Sequence, residues 1–271
     1  MVKKFTYLLF CLLLLSSCKL KEVGFFEMKK QPKESTENRQ LIKEDQPAGL
    51  MNEDIKITAA GDSLTQGVGD STKNGGYLPY LQKDIEENGM IRPQIYNFGV
   101  KGHRTEQLLK RLNKKELKDS IQKSDAVILT IGGNDVMKVF RENITNLKLQ
   151  DFNREKEAYR MRLFQILAKI KAINSEAEVY IVGLYNPFYK WTSNVKELKM
   201  ILDEWNKATE ESANEFSKCY FVKIEDIFIS TKEELLFQDD YFHPNDRGYE
   251  HMGNRIYQAL NQYTLKRLLL N

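Results

Sequence analysis

The 271-residue chain predicts a doubly wound α/β fold, a central and mostly parallel five-stranded sheet with helices packed on it. Three observations carry this prediction. Short apolar runs of strand length recur at Ile55 to Ala60, Gln94 to Phe98, Ala126 to Ile131, Glu178 to Leu184 and Tyr220 to Ile224. Between the later runs, apolar residues recur at three- and four-residue spacing, as in helices that bury one stripe. The first three runs end in polar turns that contain glycine. Right-handed crossovers would bring all these turns to one rim of the sheet, where an open α/β fold keeps its chemistry.

The segment ahead of the fold reads differently. Lys3 and Lys4 precede an apolar stretch from Phe5 to Leu15, which has the charged start and short hydrophobic region of a secretory signal and is short for a membrane span. It ends in Leu15-Ser16-Ser17-Cys18, a tetrapeptide that resembles the bacterial lipobox. That resemblance implies a signal over residues 1–17 and a lipidated Cys18, which would anchor the protein outside the cytoplasm on the bacterial cell membrane. A conventional signal cut nearby and an uncleaved anchor are the alternatives. Residues 18–53 are rich in Lys, Glu, Gln, Asn and Pro and bury too little to offset ordering entropy, so they read as a flexible tether, interrupted by Phe25 and Phe26. The folded domain is expected over residues 54–271.

Within that domain the first strand runs into Ala60-Gly61-Asp62-Ser63-Leu64-Thr65-Gln66-Gly67, which places the Ser63 hydroxyl at the turn leaving the strand. The second ends in Tyr96-Asn97-Phe98-Gly99-Val100-Lys101-Gly102, the third in Ile131-Gly132-Gly133-Asn134-Asp135. A glycine N–H and an asparagine amide are donors that suit an oxyanion hole. Residues 136–158 read as a long charged connection that could cover the site. Tyr159, Leu163, Ile166, Leu167, Ile170 and Ile173 mark a helix, and Val195, Leu198, Ile201, Leu202, Trp205 and Ala208 another. The fourth strand leads into Tyr185-Asn186-Pro187-Phe188-Tyr189-Lys190-Trp191; Tyr185, Phe188 and Trp191 are candidates to line a substrate, whether acyl chain or sugar ring. Asp239-Asp240-Tyr241-Phe242-His243-Pro244-Asn245 supplies an imidazole with a carboxylate three residues before it. The final helix is expected from about Asp246 to Tyr263 with Asn245 as its N-cap.

Each motif alone has a plain structural explanation: a polar turn after a strand, an N-cap at Asn134 or Asp135, a loop histidine held extended by Pro244. In this order, over residues 54 to 263, the four segments resemble the SGNH, or GDSL-type, hydrolases. That resemblance implies a three-layer α/β/α, flavodoxin-like fold and a catalytic triad of Ser63, Asp240 and His243. It also implies an oxyanion hole from the N–H groups of Ser63 and Gly102, chosen over Gly99, and the amide of Asn134. The resemblance looks nearest to the Gram-positive lipoprotein branch of the family.

Composition sets the remaining bounds. Removing residues 1–17, which hold Lys3, Lys4 and no acid, takes the formal charge from +3 to +1, so no basic excess points to nucleic acid. Of three cysteines, Cys11 would leave with the signal and Cys18 would be lipidated, so Cys219 reads as a lone buried thiol on the fifth strand. His103 reads as a loop residue near the site and His251 as structural, and no metal-ligand spacing or cofactor motif is evident. The expected activity is hydrolysis of carboxylic esters, with lipid or lysophospholipid acyl esters foremost. De-O-acetylation of a cell-wall polysaccharide and a tethered binding protein without turnover are the rival readings. Oligomeric state is left open.

Overall fold

The computed structural model describes residues 53–270 apart from 88, 144, 193, 194 and 230–232. Cys18, the signal, Phe25, Phe26 and the tether up to residue 52 lie outside the described residues. Five parallel strands, β1 (Glu53–Gly61), β2 (Ile91–Gly99), β3 (Ala126–Thr130), β4 (Glu178–Val182) and β5 (Cys219–Val222), form one sheet in the order β2-β1-β3-β4-β5. The direction in which the chain winds reverses between β1 and β3, and this is the switch point at which such sheets open a crevice beyond their carboxyl ends. β2 starts three residues earlier than the sequence suggests and includes Pro93 in register with Ile55. An edge strand tolerates the missing N–H, and β2 pairs only with β1.

Alternation along β1 assigns its two faces. Ile55, Ile57 and Ala59 join a cluster with Tyr77, Leu78, Leu81 and Ile85 around helix α2 (Leu78–Glu86) and with Tyr249, Met252, Ile256 and Leu260 of helix α9 (Asp246–Leu260). The remaining helices are α1 (Ser63–Gln66), α3 (Thr105–Arg111), α4 (Lys115–Gln122), α5 (Gly133–Glu142), α6 (Leu149–Ile173), α7 (Tyr189–Thr192), α8 (Lys196–Asn214) and the terminal α10 (Lys266–Leu270). Among them α6 packs against α3, α4, α5 and α8, burying Tyr159, Leu163, Ile166, Leu167 and Ile170 as its stripe predicts. A π-helical turn, Asn261–Leu265, joins α9 to α10, so the last helix leaves α-geometry three residues before the expected Tyr263.

Residues 136–158 are not the long connection that their charge suggests. Most of them are helical, in α5 and the first turns of α6, and only the stretch between Glu142 and Leu149 links the two. Val136, Met137, Val139 and Phe140 form a buried stripe on α5, and the Phe140 ring meets Phe152 edge-on at 4.8 Å. Abundant surface charge around few apolar residues concealed that stripe. α5 opens at Gly132, whose φ of +115° and whose absent Cβ, which would lie 2.8 Å from the Tyr159 ring, leave room for no other residue. The expected N-cap at Asn245 is present, its side chain accepting from the Gly248 N–H at 2.9 Å.

Candidate active site

The sharp turn out of β1 begins with Asp62, whose Oδ1 accepts from the Leu64 N–H at 3.0 Å and starts the single helical turn α1. Ser63 is the first residue of that turn, so its N–H has no intrahelical acceptor, and it meets none among the described residues. Its hydroxyl faces the loop ahead of α9: Ser63 Oγ lies 2.8 Å from His243 Nε2, and His243 Nδ1 lies 2.6 Å from Asp240 Oδ2. Oδ1 of the same carboxylate accepts from the N–H groups of Phe242 at 2.9 Å and His243 at 3.0 Å. Burial opposes the charge on Asp240, but the bonds from the His243 ring and these N–H groups outweigh it and hold the carboxyl below its ordinary range. Asp240 is therefore ionised at neutral pH and fixes His243 with its proton on Nδ1, leaving Nε2 free to accept from Ser63. The three residues expected from the sequence are brought together in hydrogen-bond series, with Ser63 and His243 both buried.

The expected oxyanion donors stand at the ends of the neighbouring strands. Gly102, at φ +79°, has an N–H without an acceptor among the described residues, whereas the Gly99 N–H is taken by Asn97 Oδ1 at 2.8 Å. That difference favours Gly102. Asn97 also donates to the Thr65 carbonyl at 2.8 Å, tying the end of β2 to α1. Asn134, in the first turn of α5, gives one amide hydrogen to the His103 carbonyl at 3.1 Å, which orients the amide and leaves its second hydrogen to spare. His103 itself is half-buried beside the Arg111 guanidinium, and its carbonyl is what bears on the site. His251, on α9, meets Glu233 at 3.0 Å and lies outside this arrangement.

An apolar pocket opens at Ser63. Its floor and walls come from Ile131, from Val136, Met137 and Phe140 of α5, from Tyr185 and Phe188 after β4, and from Leu198 and Leu202 of α8. Tyr185 and Phe188, two of the three aromatics expected near a substrate, line this pocket. Trp191 does not line this pocket. α7 buries Thr192, whose hydroxyl donates to the Phe188 carbonyl at 2.8 Å; Trp191, about 100° away around the turn, is left 46% exposed against Tyr241. Cys219 is buried on β5, and burial pushes its thiol up to about 11, so it is not a second nucleophile. Among the described residues, no group of three His, Cys, Asp or Glu side chains is placed to hold a metal ion.

The GDSL-like lipase/acylhydrolase family model matches residues 59–251, most of the chain. The protein belongs to this family. It is 34% identical over 212 residues to the uncharacterized protein YpmR of Bacillus subtilis, covering 78% of this chain and 83% of that protein. It is 24% identical over 220 residues to the spore germination lipase LipC of Bacillus licheniformis, covering 76% and 96%. Among solved structures, a lipase from a goat rumen metagenome superposes with a TM-score of 0.67 at 24% identity, over 76% of this chain and 97% of that one. An acetylxylan esterase of Geobacillus stearothermophilus gives 0.59 at 16% identity, over 78% and 95%. This GDSL-family chain is accordingly a carboxylic ester hydrolase with the α/β/α fold of its neighbours.

Two parts of the GDSL site were not read from the sequence. Asp62 is 4% exposed and accepts from the Thr130 hydroxyl at 3.1 Å; burial pushes its carboxyl up to about 7 against the pull of the Leu64 N–H and Thr130 bonds. The other is a bridge behind the oxyanion side. Fully buried Asp135 accepts from the Thr105 N–H at 3.0 Å and hydroxyl at 2.6 Å and from Arg162 at 3.1 Å, and Arg162 continues to Glu155 at 2.6 Å. It locks the start of α3, just after Gly102, to the start of α5, which holds Asn134. Asp135 was read from the sequence only as an N-cap candidate, the place that Gly132 takes; its partners lie 30 and 27 residues away and leave no local signal.

Proposed function

We propose that the protein is a membrane-tethered serine esterase that hydrolyses lipid-type acyl esters through an acyl-enzyme. The observation that carries this reading is the apolar pocket at the Ser63 hydroxyl, walled by hydrocarbon from α5, α8 and the segment after β4. An acetyl group needs no such pocket; an acyl chain gains free energy from every methylene that it buries, about 0.8 kcal/mol each. In the mechanism, His243 Nε2 takes the Ser63 proton as Oγ bonds to the ester carbonyl carbon. The resulting oxyanion is held by the N–H groups of Ser63 and Gly102 and the free amide hydrogen of Asn134. The carbon–oxygen bond to the alcohol then breaks, and Nε2 returns the proton to the departing oxygen. Water repeats the sequence and releases the carboxylic acid. Asp240 orients the imidazole and stabilises its cation.

The place of action rests on the sequence: Lys3, Lys4, the apolar Phe5 to Leu15 stretch and Leu15-Ser16-Ser17-Cys18 support a lipid on Cys18 at the outer face of the cell membrane. Replacing Cys18 by Ala is expected to release the protein from membranes or block its processing; retention of fully processed protein there would remove lipidation at that residue. The substrate is tested with p-nitrophenyl esters from acetate to palmitate, with Ser63→Ala as control. Ser63-dependent turnover that peaks at medium or long chains is expected. Turnover confined to acetate would transfer the protein to polysaccharide deacetylation, and none on any ester to a binding role.

A further inference from the structure

Two large aromatic side chains stand exposed at the rim of the site without a packing reason to be there. Trp191 is 46% and Tyr241 41% exposed, and their rings meet edge to face with centroids 5.7 Å apart. The other tryptophan, Trp205, is 1% exposed in the core. Tyr241 is also held at φ +49°, a conformation that costs energy for a residue with a Cβ, by its N–H bond to the Phe237 carbonyl at 2.8 Å. It sits inside the segment that carries Asp240 and His243, so the strain presents a phenol ring two residues from the general base.

The direction of the reaction says what meets that ring. On the esterase reading, the pocket lined by α5 and α8 residues is the place for the acyl half of the ester. His243 Nε2 must reach the alcohol oxygen to protonate it, so the alcohol half departs over His243, whose own segment carries Tyr241 with Trp191 packed on it. We propose that Trp191 and Tyr241 form the binding platform for the alcohol half, and that this half is a neutral ring, a sugar before all others. Flat aromatic faces pack against the C–H face of a pyranose and gain nothing from a small alkyl alcohol. The charge beside them disfavours a phosphate: Asp239 and Asp240 precede Tyr241, and the cation next to Trp191, Lys190, is engaged by Glu234 at 2.7 Å. The acyl and alcohol halves are then selected by separate sets of residues, one buried and one exposed. This inference rests on the esterase reading above and narrows it from acyl esters at large to acylated sugars, away from lysophospholipids.

The test holds the acyl group constant and changes the alcohol. The full-length protein is assayed on methyl octanoate, 6-O-octanoylglucose and an octanoyl glycerophosphate. The glucose ester is expected to have the highest kcat/KM. Trp191→Leu keeps apolar bulk but removes the flat face; it should reduce the preference for the glucose ester over the methyl ester about tenfold, or about 1.4 kcal/mol. That loss should lie in KM, because all three substrates give the same octanoyl-enzyme and share its hydrolysis. Trp191→Phe should restore most of the preference, and neither change should move the preferred acyl length. Equal losses on all three esters, or a preference for the glycerophosphate, would overturn the proposal.

A second readout needs no turnover. With Trp205 buried, Trp191 is the tryptophan whose emission responds to solvent-side ligands. Octyl glucoside below its micellar concentration should shift that emission saturably in the Ser63→Ala protein, octyl phosphate should not, and Trp191→Phe should abolish the response. Such a shift, together with no ester cleavage by the protein that keeps Ser63, would uphold the platform and sink the esterase reading. Ester cleavage without any discrimination between alcohols would do the reverse.

Discussion

The two rims of the sheet both bury polar groups, but they treat them differently. At the amino-terminal rim Glu178 and Thr58 are consumed internally: Glu178, at the start of β4, accepts from Tyr180 at 2.9 Å, from Thr264 of the π-turn at 2.6 Å and from Arg267 of α10 at 3.0 Å. Thr58 is likewise closed off by Ser120 and Ser124, both at 2.6 Å. At the carboxyl rim, capacity is left over. The N–H groups of Ser63 and Gly102 meet no acceptor among the described residues, Asn134 holds back one hydrogen, and Asp62 carries a carboxyl pushed up to about 7. A saturated network can only hold elements together. An unsaturated one, kept in place by saturated supports such as Asp135, is poised for a charge that arrives with a substrate.

The difference is broken most severely at the triad. Ser63→Ala and His243→Ala are each expected to lower kcat by at least about 10³-fold, and the double variant by little more than either alone, since the two act as one unit. Additive, modest losses would show that the 2.8 Å contact is structural only. Asn134→Ala should cost about 10² to 10³ in kcat, because it removes the unspent hydrogen, and about 1 kcal/mol in stability, because it also removes the bond to the His103 carbonyl. Near-native rates would strike Asn134 from the site.

At the opposite rim the sign of the effect reverses. Glu178→Ala leaves the Tyr180 and Thr264 hydroxyls and Arg267 without their common acceptor and should cost about 3 kcal/mol in denaturant unfolding while kcat/KM is kept. A loss of activity in folded protein would instead couple the two rims. The smallest effect expected is a change of slope. The Asp62 carboxyl has an ordinary value of 3.8 and is pushed to about 7 when folded, so the native state holds a proton that the unfolded state has already released. Stability from this residue is full below about pH 4 and declines as pH rises toward 7. Asp62→Asn should flatten that decline, seen as thermal midpoints from pH 4 to 8; an unchanged slope would mean that Asp62 is ionised in the folded protein.

What could be read in advance follows from the range of each interaction. β1, β3 and β4 were legible because buried parallel strands are continuous apolar runs, and α6 and α8 because their stripes are long. Ser63 and Asn134 were legible through short motifs at strand ends, and His243 through a short motif just ahead of the last long helix. Residues 136–158 misled because charge on the exposed face of a helix looks like a loop when the buried stripe is short. Trp191 fell outside the apolar pocket because α7, a single turn, rotated it away from Phe188, and four residues show no helical period.

Sequence alone determined the order of elements, the residues at the strand ends and the kinds of chemistry that they carry, since these depend on local pattern and side-chain type. Only tertiary structure decided that Ser63 and His243 meet across 180 residues, that Gly102 rather than Gly99 has an N–H without an acceptor among the described residues, and that an apolar pocket opens at Ser63 while the Trp191–Tyr241 pair stays exposed. The reason is physical. A hydrogen bond still unmade, and a pocket between two helices, are properties of what is left when every other contact has formed, and no single stretch of chain contains them.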